Sequence, residues 1–430
     1  MINSLLHTKM HMGDGHLKQK HITIVGTGII GVATAIWLQR AGHQVTLIEK
    51  GELEDAASYG NGAVLASCSV VPVNTPGILA QAPRMLWSPD QPLFVKWGYL
   101  PRMLGWLARY LSRATVEAST ETAAAVNQLV KGSLYKHQEL AAGTGAEKYI
   151  VPSEYLYVYD SKEHFKLDSF GWSLRKKHGV QWQEMEGDEL NRFDSSLSRH
   201  LTFAARMQHH GYVTDSGAYL QALRQHCLEN GATLIQGEFT ECQFSGADLQ
   251  SIVVSGEQVE CDAVVIATGA WSKPLVAKLG LHVPLESERG YHLDLWHPSH
   301  MPKAPMMVAG SKFVITPQQD RIRLAGIVEF GGMQAEASDR AFALLRRSIR
   351  KAMPDLTWSH ETQWLGHRPA PADSIPVIGQ LPNHKDVYVG FGHHHIGLTS
   401  GPATGRILAN LIDDVAPGVD MQPFAPNRFK

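Results

Sequence analysis

The stretch "HITIVGTGIIGVATAIWLQRAGHQVTLIEK", from His21 to Lys50, constrains the fold more than any other part of the chain. Ile22 to Val25 is a short apolar run of the kind that fills a buried parallel strand. Gly26-Thr27-Gly28 turns the chain sharply. Ile29 to Arg40 is apolar and free of proline, as a buried helix must be, and Gly42 stands where such a helix stops. Val45 to Ile48 is a second apolar strand that closes on Glu49. Strand, helix and strand within about 30 residues give the G-x-G-x-x-G pattern its meaning. Gly26 permits the tight turn, Gly28 lets backbone approach a pyrophosphate, and Gly31 lets helix and strand pack closely. The helix N-terminus offers free N–H groups and a partial positive charge to phosphates. Glu49 is placed to accept hydrogen bonds from a ribose diol. The unit reads as an adenine-dinucleotide site and does not by itself separate FAD from NAD.

The remaining bounds are simple. A chain of 430 residues is too long for one core and implies two units. A net charge of -2 provides no basic field for nucleic acid. Cys68, Cys227, Cys242 and Cys261 lie far apart and read as reduced thiols in a reducing compartment. No apolar run approaches the roughly 20 residues that span a bilayer. Residues 1–20 lack an apolar h-region and a cleavage site, and read as a disordered polar leader. These features place the protein in the cytoplasm, with the inner face of the cytoplasmic membrane as a peripheral alternative. The alternative comes from "LPRMLGWLARYLSR", Leu100 to Arg113, an amphipathic basic helix. It either buries one face in its own domain or touches a membrane surface or a quinone-bearing partner.

Along the rest of the chain, Ser58, Asn61 and Gly62 lie in a small-residue loop suited to close approach by a flat ring. A helix is expected from Glu121 to Ala142. From Glu154 the texture changes: "EYLYVYD" and "VQWQEME" alternate as strands around a helical "HFKLDSFGWSLRKKHG". "SGAYLQALRQHCLENG" reads as a helix and "ATLIQG" as a strand. The strand Asp262 to Ala267 ends in Thr268-Gly269-Ala270, a turn that lays backbone against a ligand at the carboxyl edge of a parallel sheet. "ERGYHLDLW", "SKFVITP" and "RIRLAGIVE" are again strand-like. "DVYVGFG", "HHHIGLTSGPATG" and "RILANLID" return to strand, glycine-rich turn and helix. The fold class is α/β. A Rossmann-like dinucleotide domain (21–87, 190–286 and 361–425) is interleaved with a mixed α+β substrate domain (88–189 and 287–360).

The ordered blocks "VGTGIIGVATAIWLQRAGHQVTLIEK", "AASYGNGAVLA", "DAVVIATGAWS", "ERGYHL", "GHRPAPADSIPVIG" and "GHHHIGLTSGPATG" together resemble the D-amino-acid oxidase-like superfamily of FAD-dependent oxidoreductases. Within it, the bacterial D-amino-acid dehydrogenases are the nearest likeness. The resemblance runs from His21 to about Asp413, and its fold is of glutathione-reductase type. It implies FAD as cofactor, with Gly26, Gly28, Ile29 and Gly31 at the pyrophosphate and Glu49 at the ribose. Ser58, Asn61 and Gly62 would stand near the flavin side, Gly269 would be a cofactor contact on its turn, Phe239 would lie by the adenine, and Gly397, Leu398 and Thr399 at the flavin's pyrimidine end. The implied reaction removes hydride from the α-carbon of a D-amino acid, and the imino acid then hydrolyses to a 2-oxo acid and ammonia. Electrons pass on to a quinone or other acceptor.

Such chemistry needs orientation more than a strong base, and an arginine suits a carboxylate best. Arg289, Arg368 and Lys312 are the candidate cations, Tyr291 a candidate hydroxyl, and His393 a candidate wall of the site. The chain departs from the resemblance at Pro317 and Gln318, where several relatives carry a carboxylate-binding arginine, and at His367, His394 and His395. Adjacent histidines point in different directions, so no metal is expected. Two alternatives stay open: a secondary-amine substrate such as D-hydroxyproline, sarcosine or an opine, and a flavin-holding subunit of a larger complex.

Overall fold

The structure is a computed structural model, and it describes residues 18–78 and 93–429. The leader expected over residues 1–20 lies outside the described residues as far as residue 17.

Two sheets organise the chain. The first has six strands in the order Val377–Leu381, His384–Phe391, Ala263–Ile266, His21–Val25, Gln44–Glu49 and Thr233–Gln236. All neighbours are parallel except the outermost pair, Val377–Leu381 with His384–Phe391. The helices Ile29–Arg40 and Gly397–Ile412 pack on this sheet and on each other. Small residues allow that approach: a Cβ on Gly405 would stand 2.6 Å from the Ala33 carbonyl carbon. Ile24, Val32, Ile36, Leu47, Val265 and Leu408 form the buried centre. Strands covered on both faces explain the uninterrupted apolar runs in the sequence.

The second sheet has ten strands. Its main path runs His360–Pro371, Leu285–Trp296, Arg321–Phe330, Phe313–Gln318, Met306–Val308, Ile150–Tyr159, Phe203–Val213 and Val64–Leu65. Its two faces differ. The helix Asp339–Ala352 covers one, setting Phe342, Leu345 and Ile349 against Leu156, Val158, Leu293, Ile315 and Leu324. On the other face a single cross-strand row runs Tyr157, Met307, Val314, Ala325, His292 and Trp364. This row faces the six-stranded sheet and frames the site described below.

Several boundaries need correction. Phe203–Val213 and His360–Pro371 belong to the ten-stranded sheet, although the ranges beginning at 190 and 361 place them with the dinucleotide domain. The latter strand pairs along its whole length with Leu285–Trp296, a contact between distant segments that leaves no local mark. The helix expected over 121–142 is two helices, Val116–Val130 and Ser133–Ala141, interrupted at Gly132, whose φ of +69° ends the first and starts the second. Ala125, Leu129 and Leu140 bury into the dinucleotide half, not the substrate half. "HFKLDSFGWSLRKKHG" likewise divides into Lys162–Leu167 and Ser169–Lys177. The amphipathic helix, Leu100–Ser112, buries Met103, Trp106 and Tyr110 against Phe330, Ala370 and Ala372. Among the described residues no helix is long and apolar enough to cross a membrane.

Candidate active site

A cavity of about 930 Å³ lies between the two sheets, near the upper end of the roughly 300–1,000 Å³ usual for cofactor sites. At one end its wall is backbone. Gly26 has φ +99°, and its N–H donates to the Ile48 carbonyl at 2.8 Å. A Cβ there would stand 2.7 Å from the Ala267 carbonyl oxygen, and one on Gly31 would stand 1.9 Å from that of Gly26. Gly31 therefore acts as a spacer behind the turn and is not on the cavity wall, whereas Gly26, Gly28 and Ile29 are. Ser58 Oγ accepts from the Ile29 N–H at 3.0 Å. Glu49 accepts from the Thr27 N–H at 2.9 Å and the Thr27 hydroxyl at 2.6 Å through one oxygen, and from the Lys50 and Gly51 N–H groups through the other. These bonds fix its carboxylate at the cavity lip. Phe239 and Gly269 complete this end, the latter with φ +56°.

Deeper in, the loop holding Ser58, Asn61 and Gly62 folds beneath one part of the cross-strand row. Asn61 Nδ2 donates to the Ser58 carbonyl, and its Oδ1 accepts from the Ala63 N–H at 2.6 Å. His292 Nδ1 bonds the Gly60 carbonyl at 2.8 Å, and its ring stacks on Trp364 at 5.0 Å. Every member of the row except His292 lines the cavity, with Tyr157, Met307 and Val314 at the end away from the loop. Opposite it, the helix Gly397–Ile412 begins with Gly397, Leu398 and Thr399 on the wall. Neither this helix nor Ile29–Arg40 has a side-chain cap or an acid in its first turn. The Gly397 end thus remains available to an anionic ligand, and at the other end the Ile29 N–H becomes available when the Ser58 hydroxyl rotates away. A glycine turn, two uncapped helix ends and a slot beside Phe239 fit the anionic bridge and flat rings of a dinucleotide.

The substrate candidates separate clearly. Arg289 is fully buried, 2.6 Å from Glu329 Oε2, and donates to the carbonyls of Ala335 and Glu336. It forms a buried ion pair and is absent from the cavity wall, unlike the other two candidate cations, Arg368 and Lys312. Tyr291 reaches the wall, yet its hydroxyl donates to the same Glu329 oxygen at 2.5 Å. Burial, and then that bond, raise its pKa. Arg368 is half-buried on the wall, donates to the Ile327 carbonyl at 3.1 Å and lies across Gly290, where any Cβ would strike its guanidinium. Burial lowers its pKa, and the nearby Glu288 charge raises it. Lys312 is exposed and also lines the cavity. Gln318 is buried and off the wall.

The three consecutive histidines all line the cavity. His393 is buried, bonds the Thr404 hydroxyl at 3.0 Å, and is held neutral by burial, with its pKa pushed down to about 3. His394 adopts φ +52°, which sets its Nδ1 2.7 Å from His395 Nδ1 and its Nε2 2.9 Å from Glu288 Oε1. Burial raises the pKa of Glu288, but His394 and Arg368 outweigh it and hold the carboxyl below its ordinary range. Among the described residues no cluster of His, Cys, Asp and Glu could hold a metal ion. The sequence reading missed Glu288, Tyr155, Tyr157 and Arg175 as wall residues. The alternation of "EYLYVYD" signals a strand but not which face meets a ligand, and Arg175 sits in a basic helix end that reads as solvent-facing.

The FAD-dependent oxidoreductase family model matches residues 21–411. The chain belongs to that family. FAD is its cofactor and it is an oxidoreductase. It is 38% identical to a D-amino-acid oxidase of Bradyrhizobium diazoefficiens over 95% of this chain and 99% of that one. It is 28% identical to a D-amino acid dehydrogenase of Methylobacterium nodulans, with the same coverage. Among solved structures, glycine oxidase from Geobacillus kaustophilus superposes with a TM-score of 0.72 at 20% identity, covering 95% of this chain and 99% of that one. At that identity the likeness concerns the fold: a Rossmann-like FAD domain with a mixed substrate domain.

Proposed function

We propose that the chain oxidises the Cα–N bond of D-amino acids, giving a 2-oxo acid and ammonia. The observation that carries this reading is one continuous cavity. It joins the Gly26–Gly28 turn to the Gly397 helix end and to a wall of buried tyrosines and cations. The names of the relatives that match over the whole chain support the substrate class.

Bound FAD supplies the two-electron acceptor for the substrate's α-C–H bond. The chain's own residues do the rest. The turn at Gly26 and Gly28 would hold the pyrophosphate, joined by the Ile29 amide once the Ser58 hydroxyl turns away from it, with Gly31 keeping the helix close behind them. Glu49 takes the ribose diol, since the Thr27 hydroxyl is one of its donors that can rotate away. Phe239 and Gly269 would border the adenine end, and Ser58, Asn61 and Gly62 would shape the passage toward the ring. The amides at Gly397, Leu398 and Thr399 place the positive helix end where negative charge gathers. Arg368 and Lys312 bring positive charge to the substrate end, and neutral His393 closes the wall without adding to it. Sheet and loop exclude water, which strengthens these interactions. The electrons leave to a quinone or another acceptor. Arg102, Leu104 and Arg109 are exposed on the helix Leu100–Ser112, the face we assign to peripheral contact with the inner side of the cytoplasmic membrane.

The test is product analysis with purified holoenzyme, offering oxygen or a dye as acceptor. The panel holds D- and L-amino acids, sarcosine, D-hydroxyproline and an opine. The reading expects equal amounts of ammonia and 2-oxo acid from D-amino acids. Turnover confined to a secondary amine would replace that substrate class. Bound flavin with no turnover at all would favour a flavin-holding subunit.

A further inference from the structure

The geometry points to Arg175, with the hydroxyl of Tyr157 beside it, as the group that receives the substrate's carboxylate. The inference rests on the amino-acid reading above and goes further: it assigns the recognition to a helix of the substrate half, Ser169–Lys177.

Arg175 is 6% exposed and stands on the cavity wall. Its guanidinium lies against two rings that meet edge to face, Tyr157 at 4.6 Å from the ring centre and Trp172 at 4.7 Å. Nη2 donates to the Tyr157 hydroxyl at 3.1 Å. Nε and Nη1 are buried without a hydrogen-bond acceptor among the described residues. The carboxylate that comes near, Asp168, is 3.8 Å from Nη1, is 44% exposed, and already accepts from the Tyr159 hydroxyl at 2.9 Å. A buried cation with so little compensation is costly, and an arriving anion relieves that cost.

The other arginines of this end are more fully spent. Arg289 has Glu329 at 2.6 Å, and Arg368 shares its surroundings with the buried charge of Glu288. Position supports the assignment as well. Leu174, the residue before Arg175, packs in one cluster with Ile396 at the start of the Gly397 helix. Tyr155 and Tyr157 project from the same face of Ile150–Tyr159, and Met307 and Val314 continue that face as an apolar floor. A carboxylate at the unpaired Nη1 would have Nη2 and the Tyr157 hydroxyl beside it as further donors, while the two rings keep the guanidinium from turning away. The ligand class follows: an α-amino acid with a free carboxylate and an apolar side chain lying on Met307 and Val314. Amides and decarboxylated amines lack the anion.

The experiment uses flavin-loaded enzyme mixed without oxygen with the D-amino acid that reduces the wild type fastest, with its amide, and with the matching amine. Wild type should favour the free acid by about 100-fold in half-saturating concentration. Arg175→Met should erase that preference while the amide response stays within about twofold, and Arg175→Lys should restore part of it. Where Arg175→Met fails to retain flavin, Tyr157→Phe serves in its place, with an expected loss of about tenfold confined to the free acid. Unchanged preference in these variants, or equal losses for acid and amide, would overturn the assignment. Absence of flavin reduction by any amino acid in the wild type would instead overturn the functional reading beneath it.

Discussion

At one end of the cavity the wall is backbone: Gly26, Gly28 and the first amides of the helix Ile29–Arg40, all within a few residues of each other. At the other it is side chains drawn from separate segments: Tyr157, Arg175, Glu288, Lys312, Arg368 and His393 to His395. The first kind of site tolerates almost no change in backbone volume and is nearly indifferent to protonation. The second is held by buried charges whose partners lie far away in sequence, so it depends on pairing and on pH.

The largest expected effect is at the backbone end. Gly31→Val places atoms where even a Cβ would be 1.9 Å from the Gly26 carbonyl oxygen. The variant should purify without flavin colour and resist reconstitution, read by visible absorbance, whereas Tyr157→Phe should remain yellow. Loss of colour in both would erase the contrast.

At the side-chain end, Arg289→Met takes from Glu329, 2% exposed, its closest cation and leaves it the Tyr291 hydroxyl and Lys96 at 3.8 Å. Urea unfolding should show a loss of about 3–5 kcal/mol. A loss under about 1 kcal/mol would return Arg289 to the list of substrate-binding candidates.

Acid should act through buried histidines, of which His393 belongs to the side-chain end. Burial holds His137, His292 and His393 to about 4, 3 and 3 in the folded chain, below the ordinary value near 6.5. As pH falls through 6.5 the unfolded chain takes up protons that the folded chain refuses. Stability is therefore complete above pH 6.5 and declines toward pH 4. Between pH 7.5 and 5.5 the unfolding free energy should drop by about 2–4 kcal/mol. A flat profile over that interval would show these rings are not held neutral.

The smallest effect belongs to Glu49→Gln, which weakens one acceptor in an otherwise backbone-built site. FAD binding should weaken by about tenfold by titration of the apoprotein. No change would remove Glu49 from the ribose site.

The same contrast explains what was legible. Gly26, Gly28 and Glu49 lie in one continuous βαβ unit, where spacing alone dictates geometry, and the Gly397 turn repeats that logic. The ion pair of Arg289 leaves no trace in the sequence because Glu329 lies on a neighbouring strand, and only the register between those strands brings the two together. The sheet that holds the strand His360–Pro371 is not legible in the sequence because its pairing with Leu285–Trp296 is non-local. Arg175 was invisible because a basic helix end ordinarily faces solvent. Here aromatic stacking on Tyr157 and Trp172 draws it inward.

The most direct measurement is a single-turnover mixing of oxygen-free holoenzyme with matched D- and L-enantiomers, following visible flavin absorbance and released ammonia together. Bleaching by the D-enantiomer alone, with one ammonia per flavin reduced, is the predicted result. Bleaching by neither enantiomer of any amino acid, or equally by both, would contradict it.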